Sequence, residues 1–133
     1  MSEVERIGVD FDGTLVEWTE GYVPDKIGPS IPDMVDRVKK WLRQGHEVVI
    51  FTARVHPKHE DEEEIARKAI RRWCQGTFGV ILEVTCMKDY RMTKIYDDIA
   101  ISVEQNTGRI LTEGVAEEDE KEDADALGSL LLG

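Results

Sequence analysis

Four groups of residues, far apart in the chain, carry the chemistry this sequence can do. Asp10 and Asp12 lie in VDFDGTLV (9–16), Thr52 and Arg54 follow the apolar VVIF (48–51), Lys88 lies in TCMKDY (85–90), and Asp97 and Asp98 end KIYDD (94–98). Side chains two apart on a strand point the same way, so Asp10 and Asp12 are expected to converge, and their repulsion calls for a positive partner. With Asp97 and Asp98 the set is all hard oxygen, which suits Mg2+ and not the softer metals that take sulfur or imidazole. A magnesium ion held beside a carboxylate implies phosphate chemistry.

The elements that must position these groups follow from hydrophobic patterning. A strand is expected over 4–11, where Ile7, Val9 and Phe11 alternate with Gly8 and the acids. Residues 14–29 hold two prolines and two glycines without a period, which reads as an extended loop carrying Trp18 and Tyr22, a flap or a short hairpin. A helix follows, with Ser30 as N-cap, Asp33 as capping-box partner, a stripe of Met34, Val35, Val38, Trp41 and Leu42, and Gly45 beyond its end. The run Val48–Phe51 lacks polar alternation and reads as a strand buried on both faces. The second helix is expected to bury Ile65, Ala66, Ala69, Ile70 and Trp73 and to stop at Gly76. Strands over 80–85 and at KIYDD follow, then a hairpin turning at Asn106–Gly108, placed at a sheet edge.

Alternation of strand and helix predicts an α/β layer architecture with a mainly parallel sheet and right-handed crossovers. In such a sheet the C-terminal ends of the strands share one rim, and ligands bind outside it. Asp10, Thr52 and the Asp97–Asp98 pair all end strands, so topology alone brings them to one address.

Bulk properties narrow the rest. The 133 residues suffice for one domain, expected over 1–112, and the formal net charge is −11. Between Glu113 and Asp125 eight acids face only Lys121, which makes 113–133 an acidic tail expected to be disordered and leaves roughly −4 for the remainder. That balance argues against a general nucleic-acid backbone binder. The N-terminal residues show no signal-peptide pattern and no run of some eighteen apolar residues exists, so a cytoplasmic protein without a membrane span is expected. Cys74 and Cys86 have no His or Cys at metal-ligand spacing and read as reduced thiols.

DFDGTLV (10–16), FTAR (51–54), the lysine of TCMKDY and YDD (96–98) resemble, in this order, the four motifs of the haloacid dehalogenase (HAD) superfamily, most closely its small magnesium-dependent phosphatases. The resemblance implies a three-layer Rossmann-like fold with helices on both faces. It makes Asp10 the nucleophile that forms an aspartyl-phosphate and Asp12 the general acid, then base, with its backbone carbonyl on the metal. Thr52 and the adjacent N–H of Ala53 would bind a phosphoryl oxygen, and Asp97 and Asp98 would complete the Mg2+ shell. The lysine is Lys88 or Lys94; a strand rises roughly 3.3 Å per residue, so Lys94 starts well behind the rim and Lys88 is preferred. Arg54 would touch substrate or close over the site, with a salt bridge to the acidic start of the second helix as the structural alternative. His56 and His59 read as solvent-facing.

Only forty residues separate Asp12 from Thr52, so no large cap domain of the kind many HAD phosphatases carry fits. The open site suits a phosphorylated small molecule, a nucleotide among them if Trp18 and Tyr22 stack on its base, or a macromolecular phosphate end. The competing functions are a dehalogenase, which Asp12 disfavours, a receiver-like phosphoacceptor, which the acid-free third strand disfavours, and a non-catalytic interaction protein using the tail. No oligomeric state follows from the sequence.

Overall fold

The computed structural model of the chain describes residues 3–111, so the expectations for the tail at 113–133 lie outside the described residues. Strands β1 (Arg6–Asp10), β2 (Glu47–Phe51), β3 (Glu83–Thr85) and β4 (Met92–Tyr96) form one sheet in the order β3-β2-β1-β4, and every pairing is parallel. Helix α1 (Pro32–Arg43) joins β1 to β2 and helix α2 (Asp61–Phe78) joins β2 to β3. The fold is therefore α/β and Rossmann-like in its sheet. These elements belong to a compact unit ending at Asp98. In the unit that begins at Ile99, β5 (Ser102–Val103) and β6 (Ile110–Leu111) pair antiparallel, with left-handed backbone at Asn106 and Gly108 in the turn. The hairpin forms as expected, but as a two-stranded sheet of its own and not as an edge of the larger one.

Strand alternation separates the two faces of the main sheet. Ile7, Val9, Val48, Ile50 and Val84 share one core with Val35 and Val38 of α1 and Ile70 and Cys74 of α2. Arg6, Gly8, Glu47, Val49 and Glu83 have the opposite parity. There Arg6, buried at 7 % exposure, pairs with Glu47, Glu83 and Asp89 at 3.1, 2.9 and 2.9 Å. The expected helices on both faces are not confirmed. The chain steps in one direction from β1 to β2 to β3, so two right-handed crossovers place α1 and α2 on the same side. The return from β3 to β4 is the short segment 86–91, tied to the other face through Asp89.

Several boundaries differ from expectation. Ser30 does not cap α1: it sits in an antiparallel bridge with Val16, and the Ile31 N–H donates to the Leu15 carbonyl at 2.8 Å. The chain therefore stays extended through Ile31, which is the N-cap residue without a side-chain cap. Gly76 does not stop α2 either. The helix runs to Phe78, whose ring meets Trp73 edge-on at 5.4 Å, and Gly79, at φ +77°, takes the left-handed cap position with its N–H on the Gln75 carbonyl. Ile65 is exposed, and Cys74 joins the buried stripe in its place. The third strand is shorter than predicted, because Val80 and Ile81 are exposed and precede it. Between β1 and β4 the register slips once: Arg6 pairs with Met92 but Ile7 with Lys94, so Thr93 is an extra residue, a β-bulge.

Candidate functional site

Asp10 ends the central strand of the rim. One residue past the Val9–Tyr96 pair of β1 and β4, Asp10 and Asp97 come level, and Asp98 follows. The carboxylates of Asp10, Asp97 and Asp98 each offer an oxygen within 4.8 Å of the others, so these three could hold a metal ion. Burial first, then the hydrogen bond with Asp98 and the charge of Asp97, push the Asp10 carboxyl from an ordinary 3.8 up to about 7. The expected mutual strain of clustered acids is therefore present, between different partners from those the sequence suggested.

Two neighbours shape the cluster. Thr14, buried, points its hydroxyl at Asp10 Oδ2 (3.4 Å) and Asp98 Oδ1 (3.3 Å), bridging the acids from the loop side. Gly13 has φ +86°, and a Cβ there would stand 2.5 Å from Asp98 Oδ2, so the carboxylate occupies space that only glycine leaves. Neither residue was assigned a role from sequence. Their signal was the tight turn after Asp10, in which the N–H groups of Leu15 and Val16 both reach the Phe11 carbonyl at 2.9 and 3.1 Å.

That same turn corrects the expected convergence of Asp10 and Asp12. The strand ends at Asp10, its two-residue alternation ends with it, and the Asp12 side chain leaves the acidic cluster for Arg54. Arg54 Nε donates to Asp12 Oδ2 and Nη2 to Asp12 Oδ1, both at 2.7 Å, a bidentate pair. Arg54 Nη1 donates to the carbonyls of Pro24 (3.2 Å) and Lys26 (3.0 Å). The guanidinium also lies 5.1 Å from the Tyr22 ring centre and 5.5 Å from that of Phe11. Four of its five N–H donors are thus engaged, and the substrate contact expected of Arg54 gives way to a link between Asp12 and the loop. The alternative salt bridge to the start of α2 is likewise not made.

The loop itself is a pinched excursion. Glu17 N–H to the Pro29 carbonyl and Ile31 N–H to the Leu15 carbonyl, both 2.8 Å, close its neck like a two-rung hairpin, and Leu15 and Val16 beneath it are fully buried. Beyond the neck, Asp12, Trp18, Tyr22, Lys26 and Arg54 line a cavity of about 120 Å3. Trp18 is 68 % exposed, so it is not the local packing anchor that lone loop aromatics usually are.

Thr52 is buried at the end of β2, held by its N–H on the Thr85 carbonyl at 2.8 Å, and its hydroxyl accepts from the Arg54 N–H at 3.2 Å. Ala53 opens the 3-10 turn Ala53–Val55 at this rim. Lys94 is paired with Glu5 at 3.2 Å, toward the opposite end of the sheet. Lys88 is exposed in the 86–91 segment, next to the Asp89 that Arg6 holds; the structure does not bring it into an ion pair with any acid among the described residues. His56 is exposed and accepts from the Lys58 N–H at 3.1 Å, a local turn contact. No helix among the described residues is long and apolar enough to cross a membrane.

A comparison with protein-family models gives no match, and neither does one with curated proteins. Among solved structures, the chain is similar to a conserved protein coded by a locus of Bacteroides thetaiotaomicron. The two share 25% sequence identity with a TM-score of 0.51, over 91% of this chain and 93% of that one. The likeness agrees with the α/β arrangement found here.

Proposed function

We propose that this chain is a Mg2+-dependent phosphomonoester phosphatase of the haloacid dehalogenase type, working through an aspartyl-phosphate on Asp10. The observation that carries the reading is the Asp10, Asp97 and Asp98 cluster at the ends of β1 and β4, with Thr52 just past the end of the neighbouring β2. The donor set fits the ion: three carboxylate oxygens of hard character, crowded enough to hold a proton on Asp10 near neutrality in its absence. Asp10, Asp97 and Asp98 would hold Mg2+, which neutralises charge on the carboxylates and on phosphoryl oxygens.

The remaining steps belong to the chain. Thr52 already accepts from the Arg54 N–H, so its own proton is left to donate to a phosphoryl oxygen. An oxygen of Asp10 attacks phosphorus, the phosphorus–oxygen ester bond breaks, and Asp12, once it has parted from Arg54 and taken a proton from solvent, delivers that proton to the leaving oxygen. Water then attacks the acyl phosphate, Asp12 takes its proton, and inorganic phosphate leaves with the Asp10 carboxylate restored. Lys88 would supply the cation for the phosphoryl group by swinging its long side chain up from the 86–91 segment. The leaving group extends into the cavity with Trp18 and Tyr22, whose rings suit a flat base, so a nucleoside monophosphate is the preferred substrate. Two cysteines without a disulfide agree with a cytoplasmic setting.

The test is phosphate release with and without Mg2+ over nucleotide 5' and 3' monophosphates, sugar phosphates, a phosphorylated oligonucleotide and a phosphopeptide. The Asp10→Asn protein is the blank. Metal-dependent release that vanishes in the blank is the expected result; silence across the panel overturns the reading.

A further inference from the structure

Beyond Cys86, which packs against the core, the segment 86–91 that carries Lys88 from β3 to β4 is held by charge and not by burial. Met87 and Tyr90 are 71 % and 97 % exposed, so neither side chain packs it down. Its two ends close on one guanidinium. On β3, two residues before the strand ends, Glu83 accepts from Arg6 Nη1 and Nη2 at 3.3 and 2.9 Å. At the far end Asp89 Oδ2 accepts from Arg6 Nε and Nη2 at 3.1 and 2.9 Å, while Asp89 Oδ1 accepts from the N–H groups of Arg91 and Met92 at 3.0 and 3.2 Å. Arg91 adds a second tie, to Glu47 at 3.0 Å, and Glu47 is itself paired with Arg6 at 3.1 Å. The Arg6 side chain is 8 % exposed, against 42, 55 and 40 % for those of Glu47, Glu83 and Asp89, so the arginine is the fixed post around which the acids gather.

We infer that Arg6 is a positioning residue for Lys88: by joining Glu83 ahead of the segment to Asp89 directly after the lysine, it fixes the backbone from which Lys88 reaches the phosphoryl group. The role of Lys88 rests on the phosphatase reading; the hold on the segment stands on the ion pairs alone. Arg6 lies four residues before Asp10, roughly 13 Å along β1, so it acts on the reaction without touching the acids of the rim. The need for such a post follows from lysine itself, a point charge on a flexible four-carbon stem. If the backbone beneath it also moved, ordering the cation against a phosphoryl oxygen would cost the freedom of both. A cluster of apolar residues would fill the same space with equal or better stability, but it would not set the place of Asp89 by direction as well as distance.

Coupling to Lys88 separates this role from general scaffolding. Asp89→Asn keeps an oxygen for the Arg91 and Met92 N–H groups and leaves Glu47 and Glu83 on Arg6, so it cuts the hold with the least disturbance; Arg6→Met removes it whole. Both are assayed with Mg2+ on p-nitrophenyl phosphate, alone and combined with Lys88→Met, with kcat/KM and competitive inhibition by inorganic phosphate as readouts. Lys88→Met should lower kcat/KM and weaken phosphate inhibition by about 10-fold, and each of the other two by about 3- to 10-fold, whereas in the Lys88→Met background the second change should add less than about 2-fold. A loss of the same size in that background, or no loss in Lys88→Met itself or in the other two, overturns the positioning role.

Amide hydrogen exchange reads the hold without any activity. In metal-free and Mg2+-loaded protein alike, Asp89→Asn and Arg6→Met should speed exchange over 86–92 by about 10-fold or more beyond any change in α1. Unchanged exchange over 86–92, or an acceleration no greater than that in α1, overturns the hold. A wild-type protein silent on p-nitrophenyl phosphate and on the panel of esters above overturns the phosphatase reading, and the positioning role with it, and leaves hydrogen exchange to decide the hold by itself.

Discussion

Replacing Asp10 with Asn should stabilise the metal-free protein, and more so as pH rises. In the folded chain the Asp10 carboxyl is pushed up to about 7 from 3.8, by burial above all and then by Asp98 and Asp97. A raised folded value means that the folded state binds the proton more tightly than the unfolded one. The associated stability is therefore complete below about pH 4 and is lost as pH climbs through about 7. At roughly 1.36 kcal/mol per unit the full shift would be worth about 4 kcal/mol, but solvent reaches this rim and screening reduces it to about 1–2 kcal/mol. For a domain of this size that corresponds to about 5–10 °C in Tm.

The assay is thermal unfolding of wild type and Asp10→Asn in chelator between pH 4 and pH 8, followed by circular dichroism. The two curves should meet near pH 4 and separate by pH 8, with the asparagine variant higher. Mg2+ competes with the proton, so it should raise the wild-type Tm increasingly toward pH 8, by about 2.7 kcal/mol of stability at a hundredfold excess over Kd. Asp10→Asn should gain much less. If the variant is no more stable than wild type at pH 8 in chelator, or if Mg2+ shifts both proteins equally, the crowded-acid reasoning is refuted.

Other outcomes follow from the same contacts. Gly13→Ala should cost about 1–3 kcal/mol in urea unfolding and blunt the Mg2+ effect on Tm, because the new methyl meets both a left-handed backbone and the Asp98 carboxylate. Arg6→Met leaves Glu47, Glu83 and Asp89 facing one another without their cation; since those acids are half exposed, the expected loss is about 1–3 kcal/mol by urea unfolding, with high salt reducing it. Lys88→Met should lower kcat/KM for any accepted phosphate ester by about 10-fold or more, while Lys94→Met, which breaks only the Glu5 pair, should leave it within about 2-fold.

The sequence made some of these features legible and hid others, for physical reasons. The apolar runs at Ile7–Val9 and Val48–Phe51 and the Val35–Val38 stripe announce strands and helix because burial demands them wherever the chain goes. Topology then delivers Asp10, Thr52 and Asp97 to one rim without any contact being known. What stayed hidden is where a local rule meets a tertiary one. Gly76 is a poor helix residue, yet the Trp73 and Phe78 rings carry α2 past it. Asp12 follows Asp10 at strand spacing, yet the strand has already ended. Arg54 reads as a group aimed at substrate, and only the folded loop shows the Pro24 and Lys26 carbonyls that claim its donors. The face on which each crossover packs is likewise invisible in one strand, and the helices on both faces that the resemblance implies are not confirmed.

Thr93 illustrates how far such parity reaches. Continuing the Arg6–Met92 pairing without interruption would set Tyr96 level with Asp10 and turn Asp97 toward the opposite side of the sheet. The single supernumerary residue at the far end of β4 advances the strand by one, so that Tyr96 meets Trp41 on the helical side, ring centres 4.7 Å apart, and the acid arrives beside Asp10. Deleting Thr93 would leave every pairing from Lys94–Ile7 onward as it is, whereas pairing Thr93 with Ile7 would dismantle the carboxylate cluster from four residues away. The address of the carboxylate cluster is in this sense a counting problem, solved at the opposite end of the sheet.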